Sequence, residues 1–448
     1  MTGFADRRLH MVGIGGVGMS ALAAIAYAWG ADVNGCDTAE SEYTRRLERF
    51  GIHVGLGHDR DHLADGMDVI VSSAVPADED EVLEARVRGF AVIHRAELLA
   101  EMVAARRSIC VGGAHGKTTT TAMIAYAATR LGLDPTWLVG GDVPQLGGNA
   151  GPGGGELLVA EADESDGSCS LLRPQIALVT NIELDHHARF DSEQALRALF
   201  ADWVASVPAD GVVLLGDGID LDAVAPRAWF GFDESADWRI TAFEGNGGGS
   251  RFWLRVPSAP PVRVELKLPG RHNAQNAAGA VAALVAAGAS PADASAALRD
   301  FDGAGRRFER RGSVGGVEIV DDYAHHPTEV AAAIDAARAQ SPARVVVVFQ
   351  PHLYSRTAAL AGRFGEALSA ADEAVVTEIY AAREQPVEGV TAKLVVDALA
   401  ERRPGMPLAY EPTLEEAADY LRARVRAGDM ILTVGAGDVR RVGDLLLG

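Results

Sequence analysis

The sequence predicts an α/β protein built from three successive units. Three observations carry that expectation. Short apolar runs recur between longer amphipathic stretches, the pattern of parallel strands joined by helices. Two of these runs, LHMVGIG at 9–15 and SICVGG at 108–113, pass into glycines just before a helix-forming stretch. The chain has 448 residues, which at about 150 residues per domain suggests roughly three domains.

The first unit begins with the strand at 9–15 and a helix at 17–29. Strands at 31–37 (ADVNGCD), 68–72 and 91–93 follow, and the unit ends near Arg106. The second begins with strand 108–113 and a helix from about Thr118 to Arg130. Apolar runs at 156–160, 176–180 and 211–215 predict further strands, and alternation in WRITAF and SRFWLRV predicts an antiparallel pair around the turn at 244–250. An alanine-rich helix spans 272–287. Glycines and arginines at 303–312 suggest a linker. The third unit has strands at 317–320, 344–349, 374–377 and 430–434, with helices from Pro327 and near 357–369. The stretch GGNAGPGGG at 147–155 reads as the most flexible.

Hydrophobic residues make up 48% and charged residues 23%, enough apolar material to fill cores and to exclude general disorder. The net charge of −21 argues against nucleic acid and acidic membrane as partners, so an anionic ligand needs a locally positive pocket. Three widely spaced cysteines form no disulfide framework, and the polar N-terminus lacks the pattern of a signal peptide, so the cytoplasm is the expected compartment. A monomer or weak homodimer is expected.

Six motifs carry candidate chemistry. Gly13-Ile14-Gly15-Gly16-Val17-Gly18 lies between a strand and a helix, where glycines let a diphosphate approach backbone amides. Asp37 ends the next strand, where an acid bonds either a ribose or a neighbouring group. Alone, this pair suggests a nicotinamide dehydrogenase. Gly113-Ala114-His115-Gly116-Lys117-Thr118-Thr119 departs from Walker A spacing at Val111, but it places a lysine and hydroxyls after a strand, ready for β- and γ-phosphates and Mg²⁺. Glu161-Ala162-Asp163-Glu164-Ser165-Asp166 is either a metal-binding strand end or a solvated acidic loop. Asn181-Ile182-Glu183-Leu184-Asp185-His186-His187 also follows a strand; by donor softness its histidines are hydrogen-bonding or zinc-like before they are magnesium ligands. His272-Asn273-Ala274-Gln275-Asn276 starts a helix and reads either as base-recognising amides or as N-capping. In the third unit, Asp321 to Pro327 and Gln350 to Arg356 follow successive strands; Arg356 suits a carboxylate, and zinc held by His325, His326 and His352 is an alternative. No nucleophile motif surrounds the cysteines or serines, so covalent chemistry by the protein is not expected.

Taken together, these residues resemble the Mur ligase family. GIGGVGMSALA, GAHGKTTTTAM, EADESD, NIELDH, HNAQNA, DDYAHHPTEV and FQPHLYSRT occur in the family's order and approximate spacing, from Gly13 to about Gly437. The resemblance implies a Rossmann-like domain for a UDP-sugar at 1–106, a central P-loop ATPase-type domain with a mixed sheet at 107–304, and a Rossmann-like amino-acid domain at 305–448. It implies an ATP-dependent ligase with Mg²⁺. In the alanine-adding branch, L-alanine is joined to the carboxylate of UDP-N-acetylmuramate through an acyl phosphate during peptidoglycan synthesis.

The resemblance also implies roles. Gly113, Ala114, His115, Gly116, Lys117, Thr118 and Thr119 hold the ATP phosphates, Asn273 and Asn276 read adenine, and Arg306 or Arg307 reaches the γ-phosphate, with Arg307 preferred. Thr118, Glu164 and His186 bind magnesium. Gly15, Gly16, Val17, Gly18, Met19 and Ser20 hold the UDP diphosphate, with Asp37 beside them. His325 orients the amine, His352 and Arg356 take the amino acid's carboxylate, and Tyr323 shapes a small side-chain pocket. Lys117, His325 and Arg356 are the expected catalytic residues. Ala188 and Leu353 depart from the family's usual Asp and Arg. No lysine lies between 117 and 267, so the carbamylated lysine of several relatives is absent, which fits the alanine-adding branch.

Overall fold

The computed structural model describes residues 3–165, 167–185, 189–382 and 384–448. Three sheets follow one another along the chain. The first is a five-stranded parallel sheet in the order His53–Leu56, Asp32–Asp37, Arg8–Val12, Asp68–Val71, Val92–His94. Its first strand is central, so the glycine turn that follows opens at the point where the strand order reverses, where ligands of open α/β sheets bind.

The second sheet has ten strands. Arg107–Gly112 lies inside it, parallel to Leu157–Glu161 on one side and Ile176–Val179 on the other. Antiparallel strands Trp238–Asn246, Gly249–Val256 and Ala259–Leu266 extend one edge. Helices Lys117–Arg130 and Arg271–Ala286 pack on this sheet through alanine-rich buried faces. The third sheet has six strands, with Asp429–Val434 paired between Val317–Asp322 and Arg344–Phe349. Val345 to Phe349 are all fully buried, which is why that strand reads as an unbroken apolar run.

Two expectations are corrected. The stretch 147–155 is not a loose loop: Gly148–Gly151 is a strand paired with Thr136–Val143. Its glycines serve close approach, since a Cβ on Gly151 would lie 2.2 Å from Trp137 Nε1. The stretch 303–312 is a linker only as far as 308: from Glu309 it enters strand Glu309–Val314, antiparallel to Val317–Asp322. Gly315 and Gly316, at φ +58° and +80°, supply the two left-handed residues that a tight hairpin needs. Among the described residues, no helix is long and apolar enough to cross a membrane.

Candidate active site

Strand Arg107–Gly112 ends in the loop 113–116, after which helix Lys117–Arg130 begins. Gly113 has φ +125°, and a Cβ there would lie 2.1 Å from Thr180 Oγ1. Asn181 holds the loop from below. Its Oδ1 accepts from the His115 amide at 2.9 Å, its Nδ2 donates to the His115 carbonyl at 2.9 Å, and its carbonyl accepts from the Ala114 amide at 3.1 Å. The Thr180 hydroxyl donates to the same His115 carbonyl at 2.6 Å. A flexible run of glycines is thereby fixed as an anion-facing nest at a helix N-terminus.

Lys117 Nζ donates to the Gly113 carbonyl at 2.6 Å and to Glu164 Oε1 at 2.9 Å. Burial works against the ammonium charge, but Glu164 and Asp163 hold its pKa above the usual value. Burial pushes the Glu164 carboxyl up to about 7, with Lys117 opposing. Thr118 Oγ1 donates to Glu161 Oε2 at 3.3 Å, and burial raises the Glu161 carboxyl as well. A hydroxyl beside two dehydrated carboxylates is a set of hard oxygen donors, and it fits Mg²⁺. His186, expected as a further metal ligand, lies outside the described residues, as do His187 and Ala188.

A cavity of about 260 Å³ opens between this loop, helix Arg271–Ala286 and helix Pro327–Ala339. His115, Gly116, Thr119, Asn273, Asn276 and Arg307 are on its walls. Helix Arg271–Ala286 is capped by Gly270, so the capping reading of Asn273 does not hold. Asn273 Nδ2 instead donates back to the Pro269 carbonyl at 2.7 Å, and the Asn276 carboxamide occupies the space left by the missing Cβ of Gly116. The two arginines of 306–307 have different surroundings. Arg306 is consumed by Asp321 Oδ2 at 2.9 Å and by the carbonyls of Gly435 and Gly437, whereas Arg307 lines the cavity 3.8 Å from Glu329.

The third sheet brings its strand ends to the same place. His115 Nε2 lies 2.9 Å from Glu183 and its Nδ1 lies 3.2 Å from Glu329. Burial lowers the His115 pKa, but Glu329 and Glu183 outweigh it and raise it to about 9. His325 Nδ1 faces the Tyr323 carbonyl at 3.0 Å, so the neutral ring donates there and presents Nε2 as an acceptor. Burial lowers the His325 pKa to about 4, which keeps the ring neutral. Tyr323 packs under both Arg306 and Arg307. His352 stacks on Tyr380 and meets Arg356 Nη1 at 3.0 Å.

Three expectations change here. The fork of Arg356 meets the carboxylate of Asp185, with Nε at 2.8 Å and Nη2 at 3.1 Å, instead of standing open for a ligand. Both groups are buried, and a buried guanidinium needs a buried counter-charge. His325, His326 and His352 do not converge as a zinc site, because His326 packs on His115 at 4.7 Å. Met19, expected at the diphosphate site, has its side chain buried in the first core at 2% exposure.

At the first glycine turn, Gly13 has φ +75° and Asp37 Oδ2 accepts from the Gly15 amide at 2.8 Å, so the acid shapes the turn itself. Ser20 Oγ donates to the Val17 carbonyl at 3.0 Å. The amides of Val17, Gly18 and Met19 open helix Val17–Ala28 and have no intrahelical acceptor. Asn149 Nδ2 donates to the Val17 carbonyl at 2.8 Å, and Arg46 reaches Asp142 at 3.0 Å, tying this turn to the second sheet. Asn149 and Arg46 carry no motif signal. Asn181, Glu183, Asp185 and Glu329 sit inside quoted motifs, and their strand-end positions are the signal that finds them.

Family models match the chain in order: the Mur ligase family catalytic domain over 8–107, the Mur ligase middle domain over 111–284 and the Mur ligase glutamate ligase domain over 306–437. A UDP-N-acetylmuramate–L-alanine ligase of Pelotomaculum thermopropionicum is 44% identical across 98% of this chain and 96% of its own. The enzyme of the same name from Rubrobacter xylanophilus is 42% identical across 98% and 99%. The crystal structure of UDP-N-acetylmuramate-alanine ligase MurC from Thermotoga maritima matches with a TM-score of 0.84 and 29% identity, covering 98% of both chains. A murein peptide ligase from Psychrobacter arcticus shares the fold, with a TM-score of 0.72 and 24% identity over 99% of this chain and 98% of its own.

Proposed function

Because the chain belongs to the Mur ligase family, and its similar relatives match it from end to end, we infer that it joins L-alanine to the carboxylate of UDP-N-acetylmuramate in peptidoglycan synthesis, converting ATP to ADP and phosphate. The observation that carries the site assignment is the meeting of the Lys117 loop with strand-end residues of the third sheet around one cavity.

The chemistry follows from those groups. A carboxylate oxygen of the sugar attacks the γ-phosphorus in line, and the bond to ADP breaks. Lys117 and the loop amides hold the phosphates and spread their developing charge, and Arg307 reaches the same oxygens from across the cavity. Thr118 and Glu164 would hold Mg²⁺, which would supply further neutralisation of phosphate charge. The amine of alanine then attacks the acyl carbon, phosphate leaves, and a proton is lost from nitrogen. His325 Nε2 accepts a hydrogen bond from that amine and aligns its lone pair.

Asn273 and Asn276 sit where the adenine edge is read, and Gly15 to Ser20 with Asp37 frame the UDP diphosphate. His352 and Arg356 form the amino acid's carboxylate site, where the fork exchanges Asp185 for the ligand. Tyr323 bounds the space beside it. Joining groups held by three sheets excludes water from an acyl phosphate that hydrolyses readily. Cytoplasmic action is part of this reading, since ATP is the co-substrate and the three buried cysteines form no disulfide.

Omitting each substrate in turn tests it. Phosphate release is expected only with UDP-N-acetylmuramate, L-alanine and Mg-ATP together. Release that ignores alanine, or that prefers a ready-made tripeptide, overturns the assignment.

A further inference from the structure

The N-terminal unit contains a second group of chemically distinctive side chains, drawn from its sheet and from the segments packed on it. His10 on strand Arg8–Val12, Cys36 on strand Asp32–Asp37, His62 after strand His53–Leu56 and Glu81 on helix Asp80–Val87 turn one donor atom each toward a common point, with all four atoms within 4.8 Å of one another. The individual contacts are close. Glu81 Oε1 lies 2.8 Å from His10 Nε2 and 3.0 Å from His62 Nδ1, and Glu81 Oε2 lies 2.9 Å from Cys36 Sγ. His58 Nδ1 stands 3.0 Å from the same sulfur. His10, Cys36 and Glu81 are buried, at 1%, 0% and 0% exposure, so water does not satisfy them.

Three features separate this from an ordinary buried ion pair. First, the donor set is mixed imidazole, thiol and carboxylate, which is what a borderline-soft dication such as Zn²⁺ takes and Mg²⁺ does not. Second, the residues come from four different elements, so the tertiary fold, not a local turn, brings them together. Third, His10 is already oriented from outside. Its Nδ1 meets Asn34 Oδ1 at 2.6 Å, which fixes the ring plane and turns Nε2 into the cluster, 2.8 Å from a Glu81 oxygen. A histidine whose other nitrogen is pinned by an amide oxygen is the usual outer arrangement of a metal ligand.

We propose that the N-terminal domain binds one Zn²⁺ ion through Cys36 Sγ, His10 Nε2, His62 Nδ1 and a Glu81 oxygen, with His58 as an adjacent fifth group. The ion joins the strands whose ends form the first glycine turn: the Cys36 carbonyl accepts from the amides of Gly13 and Ile14, and Asp37 holds the Gly15 amide. It is a structural pin for that turn, and it is independent of the ligase assignment. Burial and Glu81 keep the Cys36 thiol protonated, with its pKa above the usual range, so metal uptake at neutral pH displaces that proton to solvent.

The test uses the untagged full-length protein after dialysis against a chelator. Zn²⁺ alone is titrated against a chromophoric chelator, and Co²⁺ alone is followed by absorption. One equivalent per chain is expected, with proton release, a thiolate-to-cobalt charge-transfer band, the intense d–d bands of a four-coordinate site, and a higher Tm. Cys36→Ser removes the charge-transfer band, whereas Cys110→Ser and Cys169→Ser keep it. His62→Gln, at the partly exposed edge of the cluster, weakens Zn²⁺ by more than about tenfold without needing the buried core to reorganise. Absence of tight Zn²⁺ binding by the folded wild type overturns the proposal and leaves a closed hydrogen-bond network around Glu81. So does binding that survives both Cys36→Ser and His62→Gln unchanged.

Discussion

The two strand–glycine–helix turns of this chain look alike in sequence and differ in what surrounds them. The turn at 13–16 has no lysine at its exit: Asp37 holds the Gly15 amide, Asn149 from the next sheet bonds the Val17 carbonyl, and the Arg95 guanidinium stands against Gly18. The turn at 113–116 has Lys117 at its exit, Glu161 and Glu164 beside it, and Asn181 beneath it. Its far wall comes from the third sheet, through Glu329 and Arg307. The lesson is that glycines make room for a phosphate, whereas the charges around them decide whether that phosphate is only held or also transferred.

The sharpest way to break this contrast is Lys117→Ala. Phosphate release is expected to fall by about 10³-fold or more, roughly 4 kcal/mol of transition-state stabilisation. A loss within about tenfold would mean that the lysine is not what separates the two turns.

Next in size is Arg356→Ala. It strands the buried Asp185 carboxylate, for which a loss of about 3 kcal/mol in chemical denaturation is expected. The same variant is expected to raise the KM for alanine. An unchanged alanine KM removes Arg356 from the amino-acid site and leaves it as a tie between sheets.

Exchanging glycines compares the turns directly. Gly113→Ala meets Thr180 Oγ1 at 2.1 Å and a φ of +125°, so a stability loss of about 2 kcal/mol or more is expected. Gly16→Ala has only the Gly13 carbonyl at 3.6 Å and an extended φ of −67°, so urea unfolding is expected to change by less than about 1 kcal/mol. Equal losses would show that the second turn is no more constrained than the first.

The smallest effect is that of pH. Burial lowers His272, His325 and His326 to about 4, from 6.5 in the unfolded chain. Between these values the unfolded chain binds more protons, so Tm is expected to fall as pH drops from 6.5 toward 4. His115 works in the opposite sense. Its stabilising charge is fully present below 6.5 and is lost as pH rises through about 9. Calorimetry should therefore show both limbs, with His272→Gln flattening the acid one and His115→Gln the alkaline one. An acid limb unchanged in His272→Gln would place the pH dependence elsewhere.

Motif residues were legible because phosphate chemistry demands particular types at fixed spacing after a strand. Lys117, Thr118 and Glu164 were singled out in that way; in the fold Lys117 bonds Glu164, and Thr118 bonds the neighbouring Glu161. What misled was local composition. Glycines at 147–155 suggested freedom, but Trp137 and Asp134 press against them. Arginines at 303–312 suggested a linker, but Arg306 bonds the carbonyls at 435–437, more than a hundred residues away.

The sequence by itself determined the three α/β units, the family and the strand–glycine–helix turns with their flanking motifs, because each depends on periodicity or on spacing within a few residues. Only the tertiary structure decided which charges neutralise one another. Asp185 with Arg356, His115 with Glu329, and Glu81 with His10, Cys36 and His62 are joined across sheets or between elements distant in the chain. The physical reason is that a buried charge takes the nearest counter-charge in space, and nearness in a folded chain is set by strand order and helix packing, not by sequence separation.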